Sequence, residues 1–218
     1  MKYLKKLFLS LIEVIIVIIC EYTILFFAML VLGVHNGIIY GSILMGILEL
    51  VYVSYIFRKD KIKIKKANYL PYLVLGLSVS VVYNMIIFKL GIHFDVIDVP
   101  LMLNLIGSGF IGPILEETIF THNLLSRLEK FNSKKVTILL TCLVFALCHT
   151  NVPSMIFAFI VGLINTNLYM KKRNLLIPIC VHIGANVIAT FLFDFNLYIL
   201  LLGIGLLGIS NLIVKRMN

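Results

Sequence analysis

Apolar residues run along this chain in eight stretches, separated by short polar or basic connections: Leu7 to Leu32, Gly37 to Phe57, Tyr69 to Gly91, Val99 to about Ser126, Val136 to Thr150, Ser154 to Met170, Leu175 to Phe193 and Leu197 to Val214. A helix needs ~20 residues to cross about 30 Å of hydrocarbon, and several of the runs approach that length. The pattern predicts an all-α fold, a polytopic transmembrane bundle of about eight helices forming one integral membrane domain over residues 1–218, with no room for a separate soluble domain. The first run exceeds the apolar region of a secretory signal, no A-x-A site follows it, and Ile19 before Cys20 is not the small residue of a lipoprotein site, so the first span is expected to stay in place.

Composition agrees, with 61% hydrophobic and 13% charged residues. The formal net charge of +9 would suit nucleic acid, but the basic residues fall in short clusters between apolar runs, where they read as topology signals instead. Lys2, Lys5 and Lys6 open the chain; Arg58 to Lys66 follow the second run, Arg127 to Lys135 the fourth, Lys171 to Arg173 the sixth, and Lys215 and Arg216 the last. With alternating crossings every cluster faces one side, and only Lys89 lies near the other, with Asp95, Asp98 and Asp194. The positive-inside rule makes the basic side cytoplasmic, with both termini there. The run Arg58 to Lys66 can also meet anionic lipid headgroups, worth about 1 kcal/mol per residue near the surface. Tyr55, Tyr69, Tyr72 and Tyr169 sit at cytoplasmic run ends and read as interfacial anchors. Cys20, Cys142, Cys148 and Cys180 show no CxxC spacing and predict neither a disulfide framework nor a zinc knuckle.

Against this background the pair Glu116-Glu117 stands out, because ionising a group at membrane depth costs several kcal/mol unless partners compensate. Glu13, Glu21 and Glu49 are also placed inside spans; they read as acids bonded to neighbouring helices in preference to substrate contacts. The fifth and sixth runs with the turn Asn151-Val152-Pro153 are too short for two full crossings, so the turn is expected to dip below the outer surface and leave a water-accessible cavity near His149 and Thr150. His182 and Asn186 are four apart and share a helical face. Counting ~1.5 Å per residue from the basic clusters brings Glu116, His149 and His182 to similar depth near the membrane middle. Ser108, between Gly107 and Gly109, reads as easing a bend or close packing before Pro113.

Glu116-Glu117, Phe145 to His149 and His182 to Asn186 resemble, in order and placement, the EExxxR, FxxxH and HxxxN patterns of the CPBP (Abi, CAAX-protease-like) intramembrane proteases, a family that includes prenyl-protein endopeptidases and bacteriocin self-immunity proteins. The resemblance covers roughly residues 113–193. It implies peptide hydrolysis without a covalent intermediate, with Glu116, Glu117, His149, His182 and Asn186 as catalytic candidates. Glu116 with His149 can take a proton from water, and His182 with Asn186 can donate hydrogen bonds to the developing oxyanion. A divalent metal such as zinc, on Glu116, His149 and His182, stays open as competing chemistry, although no HExxH motif is present. One position departs from the pattern: the arginine is replaced by Thr121, which supplies no charge and leaves Glu117 to be protonated or to pair with His122 or another residue. The partners implied are membrane lipids and a membrane-associated peptide or protein: a bacteriocin or signalling-peptide precursor, or a prenylated C-terminus. The resemblance and the small size point to a bacterial plasma membrane. A non-catalytic immunity or peptide-binding protein is the alternative; a small transporter is disfavoured because no inverted repeat is visible. The oligomeric state is left open.

Overall fold

The computed structural model describes residues 2–92, 99–191 and 194–217. Asp95, Asp98 and Phe193, read above as parts of the outer connections and of the seventh run, lie outside the described residues. Among the described residues the fold is all-helical, with eight helices: α1 (Lys2–Leu32), α2 (Val34–Lys59), α3 (Leu70–Lys89), α4 (101–128), α5 (Lys134–Leu147), α6 (Val152–Lys172), α7 (Leu176–Ala189) and α8 (Leu197–Arg216). Five of these, α1, α2, α3, α6 and α8, are long and apolar enough to cross a membrane, and the chain is a membrane protein. Much of α1 and α8 presents large apolar side chains outward, among them Phe26, Phe27, Leu201 and Leu202. In lipid that exposure carries no hydrophobic cost, so packing is left to shape and to polar pairs.

Shape decides the closest contact. A Cβ at Gly76 of α3 would lie 1.7 Å from the Val181 carbonyl oxygen, and one at Gly184 of α7 would lie 2.1 Å from that of Leu73. The two backbones therefore touch where only glycine fits, which fixes the rotation and depth of α7 beside His182. At the other side of the bundle α1 and α2 reverse through Gly33 alone, whose φ of 79° lies in the left-handed region.

The helix ends that carry basic clusters gather at one end of the bundle. Tyr3 Oη donates to Asn132 Oδ1 at 2.9 Å, Arg173 Nη1 donates to Glu129 Oε2 at 2.9 Å, and Lys172 donates to the Met217 carbonyl. The guanidinium of Arg173 beside Glu129 holds that carboxyl below its ordinary range. Two tyrosines depart from the anchoring role expected of them. Tyr72 packs in the core among α3, α6 and α7, and Tyr169 is buried between α4 and α7, because neighbouring helices cover them. Tyr55 stays exposed.

The expected turn after the fifth run also moves back along the chain. α5 stops at Leu147, fourteen residues long, and α6 starts at Val152, because Asn151 caps it by accepting from Ser154 N at 2.8 Å and Pro153 fits the first turn. The connection is therefore residues 148–151, with His149 and Thr150 inside it.

Candidate active site

The site is built on a helix that is not regular. α4 is α-helical at its ends and at Gly112–Glu116 but winds as π-helix over Leu105–Ile111 and Glu117–Leu124. The first π segment has a local cause. Gly112 N–H bonds to the Gly107 carbonyl, five residues back, and the next residue, Pro113, has no N–H to offer. That leaves the Ser108 carbonyl without its helical donor, and the Asn186 side chain of α7 fills the place, donating at 2.9 Å.

The second π segment begins at Glu117, which is 3% exposed. A carboxylate so buried needs donors, and it has three: Thr121 Oγ1 donates to Oε2 at 2.5 Å, Asn165 Nδ2 of α6 donates to Oε1 at 2.6 Å, and His182 Nδ1 of α7 stands 2.9 Å from Oε1. Since the other two partners donate, Glu117 is the acceptor and Nδ1 of His182 carries the proton. Nε2 of His182 is then the basic nitrogen, and it faces Glu116 Oε2 at 3.5 Å. That oxygen is buried and has no hydrogen-bond partner among the described residues.

Glu116 also lines a cavity of about 370 Å³ between α1, α2, α4, α5 and α6, together with His149, Thr150 and Glu21. The cavity expected near His149 and Thr150 is thus present. His149 Nδ1 lies 3.1 Å from the Phe145 carbonyl, an obligate acceptor, so its proton sits there and Nε2 is the basic nitrogen. The Phe145 ring packs edge-on against both imidazoles, with centroids 5.0 Å from His149 and 5.7 Å from His182.

The five residues singled out in the sequence are therefore distributed over three places. Glu116, Glu117 and His182 form one hydrogen-bonded or facing chain, His149 meets Glu116 across the cavity, and Asn186 stands apart on the Ser108 carbonyl. Neither His182 nor Asn186 is part of the cavity wall. Thr121 supplies no charge, yet its hydroxyl does hold Glu117. His122 is not the partner of Glu117: its ring nitrogens lie 3.0 Å from Tyr169 Oη and 3.1 Å from Asp60 Oδ2. The residue that sequence reasoning missed is Asn165, whose only signal was an amide in the middle of an apolar run.

The other membrane acids divide as well. Glu13 is partnered as expected, accepting from Tyr52 Oη and from Asn123 Nδ2 at 2.6 Å and pairing with Arg127. Glu21 instead lines the cavity together with Glu116.

The donors proposed for a metal do not fit one as placed. Among the described residues no three His, Cys, Asp or Glu side chains gather as ligands. The Nδ1 contacts of His182 and His149 leave Nε2 available on both rings and do not themselves argue against a ligand role; it is the lack of a gathered set that does.

The helical bundle thus sets buried Glu117 and half-buried Glu116, which lines the cavity, against the His182 imidazole. Residues 98–188, which contain all five site residues and Asn165, match the model of the Type II CAAX prenyl endopeptidase Rce1-like family. No curated protein and no solved structure matches the chain.

Proposed function

We propose that this protein is an intramembrane endopeptidase that hydrolyses a membrane-associated peptide or protein with a water activated at Glu116. The observation that carries the reading is Glu116 itself, which lines the cavity and turns a buried, unpartnered oxygen toward His182 Nε2. Water in the cavity gives its proton to Glu116 as it attacks the scissile carbonyl, and the proton passes to the leaving amine, with His182 and Glu117 behind Glu116 to share the charge. His149, on the same cavity wall, is placed to donate or accept as the tetrahedral oxygen develops. Asn186 has one N–H on the Ser108 carbonyl and a second to offer an oxyanion. Bacteriocin or signalling-peptide processing, or self-immunity, are the roles that suit a small membrane peptidase of this kind.

The test is cleavage and binding of a membrane-spanning peptide by purified protein in liposomes, with and without a chelator. Cleavage that persists with chelator is the expected result. Reversible loss restored only by zinc would overturn the metal-free mechanism, and peptide binding with no cleavage at all would favour the non-catalytic, peptide-capturing alternative kept open by Thr121.

We further propose a bacterial plasma-membrane location with both termini cytoplasmic, supported by the gathering of basic helix ends at one end of the bundle. A cysteine replacing exposed Lys63 is expected to react with an impermeant thiol reagent only after the cells are opened. Labelling in intact cells would reverse the orientation.

A further inference from the structure

Asn165 is one of the amides that leave their own helix, as Asn123 does toward Glu13 and Asn186 toward the Ser108 carbonyl. Asn84 and Asn167 instead turn their Nδ2 to the carbonyl four residues back on their own helix. Asn165, fully buried on α6, reaches across to α4 and donates at 2.6 Å to Glu117. Its own Oδ1 is buried without a partner among the described residues. A side chain kept as general interhelical glue would satisfy both ends; this one spends its donor on a single carboxylate oxygen and leaves the acceptor bare.

That oxygen is the one His182 uses. Glu117 Oε1 meets both Asn165 Nδ2 and His182 Nδ1, while Oε2 takes the Thr121 hydroxyl. With two neutral donors already in place, Glu117 has only lone pairs to offer the imidazole, which then keeps its proton on Nδ1 and presents basic Nε2 to Glu116. We propose that Asn165, with Thr121, is a positioning residue for the hydrolytic site: its amide fixes Glu117 as the acceptor and thereby sets the tautomer and orientation of His182. The inference rests on the hydrolytic reading of the Glu116 cavity for its effect on rate, but its effect on the imidazole is separable from that reading.

The experiment uses full-length protein in lipid bilayers, labelled with ¹⁵N-histidine, the His182 signal being assigned from its absence in His182→Gln. Two near-isosteric variants remove the donors one at a time: Asn165→Asp loses the amide N–H and Thr121→Val loses the hydroxyl, while Thr121→Ser keeps it. In the wild type the His182 nitrogens are expected to show a protonated Nδ1 and a bare Nε2. Asn165→Asp and Thr121→Val are expected to move these shifts and to lower kcat for a membrane peptide by at least about tenfold, with KM within about twofold. That loss is modest beside the ~10⁴-fold drop when the carboxylate orienting a catalytic histidine is itself replaced. Thr121→Ser should restore both readouts. Unchanged histidine shifts in folded Asn165→Asp and Thr121→Val protein would overturn the proposal, as would a fall in rate that Thr121→Ser shares. Histidine shifts that move in a protein that cleaves nothing would uphold the positioning role and instead sink the protease reading.

Discussion

Glu116→Gln is expected to lower kcat for peptide cleavage by about 10²- to 10⁴-fold, the usual contribution of a positioned general base. Glutamine keeps the size and the cavity wall but cannot take a proton from water. It also changes the contact behind it. The buried Oε2 that faces His182 Nε2 at 3.5 Å would become an amide N–H in one rotamer, donating to the bare nitrogen and holding the imidazole neutral. Folding should survive, because the substitution keeps the shape and offers a donor to a position left unpartnered among the described residues. Single-turnover cleavage in liposomes, read beside thermal unfolding and peptide binding, checks this. A variant that keeps binding and stability but retains more than about a tenth of the rate would remove Glu116 from the base role.

Gly184→Ala is expected to destabilise the protein by about 3 kcal/mol or more, at the upper end of what overpacking costs. Alanine is the better helix former by ~1 kcal/mol, so local propensity predicts the opposite sign. The reason is the 2.1 Å approach of the new Cβ to the Leu73 carbonyl oxygen, a backbone atom that no side-chain rotation can move aside. α3 and α7 would have to separate, and His182, two residues before Gly184, would move off Glu117. Gly205→Ala on α8 is the control: nothing lies within 4 Å of its Cβ position, and it should be neutral or slightly stabilising. Thermal unfolding of the two variants in the same detergent gives the comparison, and equal midpoints would show that α3 and α7 tolerate being moved apart.

That the site residues would come near one another was readable because position along a helix is arithmetic. In hydrocarbon every backbone group must be bonded within its own segment, so apolar runs become helices, basic clusters mark their ends, and ~1.5 Å per residue carries Glu116, His149 and His182 to the same level. The all-helical bundle, the helix count and the cavity beside His149 and Thr150 follow from that alone. The ordered patterns from Glu116 to Asn186 lie inside the segment that matches the Rce1-like family model.

What stayed hidden was rotation about the helix axes, and with it the identity of each polar partner. Glu13 and Glu21 lie on nearly the same face by count, yet one is locked to Tyr52, Asn123 and Arg127 while the other opens into the cavity. Two π segments in α4 shift the register around Glu117, and the first exists because Pro113 withholds an N–H from a carbonyl that Asn186 then takes. The backbone contact at Gly76 and Gly184 sets how α7 faces α4. Only with those rotations settled do Asn165 and Thr121 replace a missing charge at Glu117, since hydrogen bonds between helices depend on ångström-scale distances and on azimuth, and a residue count along the chain specifies neither across a gap of 48 positions.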